Sequence, residues 1–182
     1  IAWAFNGYEN VELSVYSIRI LFIGIFLFLF YKYGLFGYFK INSSKGSWLV
    51  FIAVMLIALN NFPFVSVLSN SAEVVKDAFY WQYVLAMLVV AFTEEIVFRG
   101  FILAFMAKYF AEKPIKRRTF VVILINSAIF ALTHFINLFS GANIGGVFLQ
   151  IGYTFLIGVT LALVAIKSKS IILPFIAHFI YN

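Results

Sequence analysis

From Thr119 to Leu138 the chain has no Asp, Glu, Lys or Arg, and the same holds from Gly146 to Ile166. Uncharged apolar runs of this length fix the fold class before any other feature. A helix rises ~1.5 Å per residue, so ~20 apolar residues cross the hydrocarbon core of a bilayer. The runs do not alternate with period two, which excludes the short amphipathic strands of an outer-membrane barrel. Composition agrees: 64% of residues are hydrophobic and 11% charged, where soluble domains run near half and a quarter. The reading is an all-α protein, a polytopic transmembrane helical bundle.

About six spans can be placed at this hydropathy. The first runs from about Ser14 to Phe36, the second from about Ser47 to Leu68 and the third, a long one, from about Phe79 to Ala107. The fourth covers about Thr119–Leu138, the fifth about Gly146–Ile166, and the sixth starts near Ser170. Asn60-Asn61-Phe62-Pro63 kinks or ends the second helix, because proline cannot donate to the helical ladder. Residues 1–78 form one unit of helices without a diagnostic motif, and residues 79–182 a second that carries the chemistry. The chain starts at Ile1, and Asn182 falls within an apolar run, so it reads as a piece of a longer protein.

The net charge of +6 is a matter of topology, not of nucleic acid. Lys32, Lys40 and Lys45 separate the first two spans. Lys108, Lys113, Lys116, Arg117 and Arg118 separate the third and fourth, and Lys167 and Lys169 the last two. Intervening segments hold Glu9 and Glu12, then Glu73, Lys76 and Asp77, then no charge from 138 to 146. Basic residues favour the cytoplasm, so the first residue lies outside. The Asn42-Ser43-Ser44 sequon then faces the cytoplasm and carries no glycan.

A few ionisable groups lie within the spans: Glu94, Glu95, Arg99, His134 and His178, with Arg19 near the outer end of the first. A charge at membrane depth costs several kcal/mol on the milder scales, roughly 2.5–3.5, so such groups are paired, hydrated or used for chemistry. Glu95 and Arg99 are four apart and can form a structural ion pair on one helix face. Glu94 is turned ~100° from Glu95, given 3.6 residues per turn, and is free to face elsewhere. Phe130 and His134 share a face, as do His178 and Asn182. Singly, each has a plain reading: a packing histidine, a core phenylalanine, an interhelical amide. Together, three helices can gather Glu94, His134, His178 and Asn182 around one cavity.

Elimination narrows the chemistry. There is no cysteine, and Asp77 is the one aspartate, so a thiol site and an aspartyl dyad are both excluded. H-E-x-x-H and G-x-S-x-G are absent. Ser127 lies seven before His134 on roughly the same face, but serines commonly pack in membrane helices. Glutamate with histidine remains, a pair suited to activating water, since desolvation makes a carboxylate a stronger base. A second histidine and an amide can hold an oxyanion. A proton-relay transporter would show broken helices or paired half-repeats, and neither is evident. Gly141-Ala-Asn-Ile-Gly145 has helix-packing spacing but sits in a loop.

The motifs resemble those of the CPBP family, also called the Abi or CAAX-protease-and-bacteriocin-processing family of intramembrane proteases. E-E-x-x-x-R reads Glu94-Glu95-Ile-Val-Phe-Arg99, followed by Gly100. F-x-x-x-H reads Phe130-Ala-Leu-Thr-His134, and H-x-x-x-N reads His178-Phe-Ile-Tyr-Asn182. Gly158 looks like that family's small-residue helix contact. The resemblance covers roughly Phe79 to Asn182. It implies a peptidase acting on membrane-associated or lipidated peptides and proteins. Glu94 would activate water with His134, His178 and Asn182 would stabilise the oxyanion, and Glu95 and Arg99 would hold the site together. It also leaves open a zinc set of Glu94, His134 and His178 with an open water position, and a non-proteolytic bacteriocin-immunity or scaffold role. The metal-free form is favoured, with no cofactor, because no further polar residue stands out as support for the metal ligands. The expected setting is the plasma membrane of a bacterium, with lipid bilayer and peptide or protein substrate as partners and no nucleic acid.

Overall fold

The computed structural model describes residues 13–40, 45–59, 78–114 and 117–182, and these are helical without a strand among them. Helix α1 (Leu13–Lys32) leads through Gly34, at φ 66°, into a short 3₁₀ turn, Leu35–Phe39. The left-handed residue stops the first helix earlier than hydropathy suggests, because glycine alone takes that conformation without penalty. Helix α2 is Lys45–Leu59. The Asn60–Pro63 kink, the sequon and the acidic segments near 9–12 and 73–77 lie outside the described residues.

Helix α3 (Ala78–Glu95) passes into a π-helical segment, Ile96–Ile102, and then α4 (Leu103–Ala111). Glu95 and Leu103, at its two borders, keep right-handed helical dihedrals, so the rod is unbroken from 78 to 111. The π segment changes its register. Leu103 N–H bonds the Phe98 carbonyl, five residues back. Such bulges are rare and concentrate at functional sites.

Helix α5 (Arg118–Leu132) continues as a 3₁₀ stretch, Thr133–Leu138. Helix α6 (Ile144–Ser168) begins at Asn143, whose side chain accepts a bond from Gly146 N–H at 3.2 Å, and ends at Lys169 with φ 49°. Gly141, at φ 80°, lies in the turn before α6, so Gly141 and Gly145 do not form one helix face. Helix α7 (Ile172–Tyr181) carries Pro174 in its first turn, where the missing N–H costs nothing.

Two helices, Arg118–Leu138 and Ile144–Ser168, are long and apolar enough to cross a membrane among the described residues. They are also the most extensively packed pair. Gly158 of α6 makes this possible: a methyl there would sit 3.2 Å from Phe130 Cδ1 and from Ser127 Cβ. Helix α7 packs against α2, α3 and α6, and α1 lies against α3. Val54, Leu161, Val164, Leu173 and Ala177 form the core beneath α7. Phe30, Ile96 and Ile171 form another core where α1 meets the π segment.

Polarity is inverted relative to a soluble domain. Leu21, Phe28, Leu149 and Leu156 are exposed, whereas Glu95, Arg99 and Asn126 are buried. An apolar exterior of this extent marks a surface covered by something other than water.

Candidate active site

A cluster of buried polar groups, Glu95, Arg99, Asn126 and His178, draws on α3, the π segment, α5 and α7. Arg99 is 1% exposed and Glu95 fully buried. Their ion pair forms at 2.8 Å, Nη1 to Oε1. Arg99 Nη2 reaches the Gly158 carbonyl at 3.4 Å, and its guanidinium carbon stands 4.3 Å from the centre of the Phe130 ring. Stacking on an aromatic face suits the flat, weakly hydrated guanidinium. One arginine thus joins α3, α5 and α6.

Phe130 is more than a core residue. The rings of His134 and His178 both meet it edge-on, at 5.4 and 5.8 Å between centroids, and Phe98 meets it at 5.1 Å. Positive ring edges and a cation against π density are both favourable geometries.

His178 is buried, with Nδ1 2.8 Å from Glu95 Oε1 and Nε2 3.8 Å from Glu94 Oε2. A carboxylate paired with arginine accepts only, so Nδ1 carries a proton and donates it to Glu95. This corrects the expectation that no polar residue backs the candidate ligands: Glu95, read from sequence as a partner of Arg99 alone, also orients His178. Glu94 is less enclosed, with 22% of its side chain exposed. The two neighbouring carboxylates therefore differ in role by position, one locked and one open.

His134 is half-buried at the start of the 3₁₀ stretch, with Nδ1 3.3 Å from the Phe130 carbonyl. It is not ion-paired with Glu94; it joins the cluster through Phe130. Asn182 N–H donates to the His178 carbonyl at 3.1 Å, so it continues the last turn of α7. Glu94, His134 and His178 do not converge as a three-donor metal set; among the described residues no group of three His, Asp or Glu does. Ser127 donates to the Ile123 carbonyl at 2.7 Å and is a buried packing serine against Gly158.

Asn126 was not singled out by sequence. It is fully buried, and its Nδ2 donates to the Phe98 carbonyl at 2.9 Å, reinforcing the bond that the π segment makes there. The signal was available: an amide at the centre of an uncharged span, four residues before Phe130 on the same helix face. Phe30 also escaped notice. Gly100 in the π segment lies against its ring, and a methyl at 100 would overlap Phe30 Cζ.

The family described as type II CAAX prenyl endopeptidase Rce1-like matches residues 76–182, more than half the chain. The chain belongs to this family. Its members are proteases and integral membrane proteins. The match takes in the π segment, both histidines and every residue of the buried cluster, and begins within two residues of α3. No curated protein and no solved structure matches the chain.

Proposed function

We propose that this Rce1-like chain is an intramembrane endopeptidase that cleaves membrane-associated or lipidated peptides with water activated by Glu94. The observation that carries the reading is the division of labour between adjacent carboxylates. Glu95 is consumed by Arg99 and His178, while Glu94 keeps an open face beside His178 Nε2. A base that must reach water and a carbonyl needs that open face.

In this mechanism Glu94 takes a proton from water as its oxygen attacks the scissile carbonyl, with His134 helping to hold the water. The carbonyl oxygen becomes an oxyanion. His178, as an imidazolium with Nδ1–H on Glu95, presents Nε2–H to it, and the Asn182 amide is a second donor. Glu94 then passes its proton to the leaving nitrogen as the C–N bond breaks. Arg99, Phe130 and Gly158 hold the helices at the separation the cluster needs. The setting is a six-span bundle in a bacterial plasma membrane, its N-terminal unit ending near residue 78 and its catalytic unit following.

The test is cleavage of a prenylated reporter peptide in liposomes by wild type, Glu94→Ala and His134→Ala, with a strong chelator in a parallel arm. Loss in both variants with activity resistant to chelator supports the reading. Chelator-sensitive cleavage makes it a zinc enzyme. Cleavage by Glu94→Ala at the wild-type rate removes the glutamate mechanism. A biological phenotype that survives both substitutions points to a scaffold or immunity role.

A further inference from the structure

A cavity lies at the basic end of the fold, apart from Glu94 and the two histidines. It has a volume of about 770 Å³, within the ~300–1,000 Å³ of ligand-binding sites. The 3₁₀ turn and Tyr38 form one side, tethered by the bond from Ile171 N–H to the Tyr38 carbonyl at 2.9 Å. Leu103, Ala104, Ala107, Ala165 and Ile166 provide apolar walls.

Its charge is one-sided. Lys40, Lys169 and Arg99 all line it, and no acidic residue does. Lys40 and Lys169 are exposed and lie in no ion pair among the described residues. Arg99 is buried, and its Nε has no hydrogen-bond partner among the described residues. A buried donor without a partner is costly, and an acceptor entering the cavity is the natural remedy. Lysines at the mouth, an arginine at depth and hydrocarbon walls fit an anion that carries apolar substituents.

We infer that this cavity binds the anionic headgroup of a membrane phospholipid, its phosphate drawn by Lys40, Lys169 and Arg99 and its glycerol end lying against the alanine-lined wall. Basic pockets between membrane helices recognise headgroups in this way. The apolar walls favour a lipid over free phosphate, which gains nothing from them. The two lysines lie outside the proposed catalytic set, and Arg99 is the one residue that the cavity shares with the buried cluster.

The experiment is lipid retention by the purified chain in detergent, read by native mass spectrometry. Phosphatidylglycerol is compared with phosphatidylcholine of the same acyl chains, and inorganic phosphate is titrated separately with thermal stability as readout. The double variant Lys40→Gln/Lys169→Asn removes the mouth charges, with asparagine suited to the left-handed backbone at 169. Gly37→Leu adds bulk at the cavity lining, where a Cβ meets nothing within 4 Å. The control pair Lys108→Gln/Lys167→Gln removes two exposed charges outside the cavity lining.

Phosphatidylglycerol is expected to be retained in preference to phosphatidylcholine. The double variant should weaken that retention about thirtyfold, from about 1 kcal/mol for each lysine toward anionic lipid. Gly37→Leu should weaken it without lowering the melting temperature, and the control pair should leave it unchanged. Equal retention of the two lipids, an equal loss in the control pair, or no effect of Gly37→Leu would overturn the proposal. Stabilisation by phosphate alone, dependent on Lys40 and Lys169 and without lipid preference, would reassign the cavity to a free anion.

Discussion

Glu95 and His178, 83 positions apart in the chain, meet at 2.8 Å through Oε1 and Nδ1. The same oxygen accepts from Arg99 Nη1 at 2.8 Å. One carboxylate oxygen therefore closes α7 onto α3 and fixes the face that His178 turns toward Glu94. Fold and site share this atom, so substitutions here separate into those that unfold the bundle and those that silence it.

Glu95→Ala leaves Arg99 buried without its counter-charge. Breaking a buried pair from one side costs about 3–5 kcal/mol. The expected outcome is a large fall in melting temperature in detergent and little folded protein. Glu95→Gln keeps the shape and one acceptor. It should recover part of the stability but not the activity, because a neutral amide no longer holds the His178 ring as the carboxylate does. Equal stability of wild type and Glu95→Ala would show that the pair carries no structural weight.

Gly100→Ala places a methyl into the ring of Phe30, which is fully buried and packed by Phe36 and Phe39 edges at 6.3 and 5.5 Å. Overpacking of this kind costs about 1–3 kcal/mol. Phe30→Leu alone leaves a cavity and also destabilises. The double variant should be more stable than the sum of the two losses predicts, since each change relieves the other. A thermal-denaturation double-mutant cycle reads this directly, and strict additivity would exclude the contact.

Hydropathy and spacing made a good part of this molecule legible. The helical stretches 78–111, 118–138 and 144–168 lie close to where apolar runs and charged flanks place the third, fourth and fifth spans. The Glu95–Arg99 pair followed from four-residue spacing. What spacing does not carry is the partner across helices. Nothing local to Glu95 shows that His178 arrives from 83 residues away. The π segment is equally silent, since one change of register leaves apolar composition untouched. Asn126 was visible as an amide in an uncharged run, but its partner is a backbone carbonyl 28 residues away, which no local pattern shows.

Asn126→Leu tests that dependence. It removes the donor to Phe98 and puts an apolar group against a buried carbonyl, at a cost of about 1–3 kcal/mol. Phe98 still accepts from Leu103 N–H, so the loss should be partial. The expected signature is faster amide hydrogen exchange confined to residues near Ile96–Leu103, with the rest of the helices unchanged. Uniform protection across that segment would show that the π turn stands without Asn126.

Glu94→Gln is the sharpest contrast with Glu95. Its side chain is partly open and makes no direct ion pair with Arg99, its contact being the 3.8 Å approach to His178 Nε2, so the loss of stability should stay within about 1 kcal/mol. If Glu94 is the base, the rate of peptide cleavage should fall about 10²–10⁴-fold, the range for loss of a positioned general base. Substrate binding should change little, because the amide keeps the size and most of the polarity of the carboxylate. The pair of variants is therefore diagnostic when melting temperature and single-turnover rate are measured side by side. Glu95→Ala should lose both, whereas Glu94→Gln should lose only the rate. A Glu94→Gln protein that melts early instead would move Glu94 from the chemistry into the scaffold, and the base would have to be sought among the remaining groups near His178.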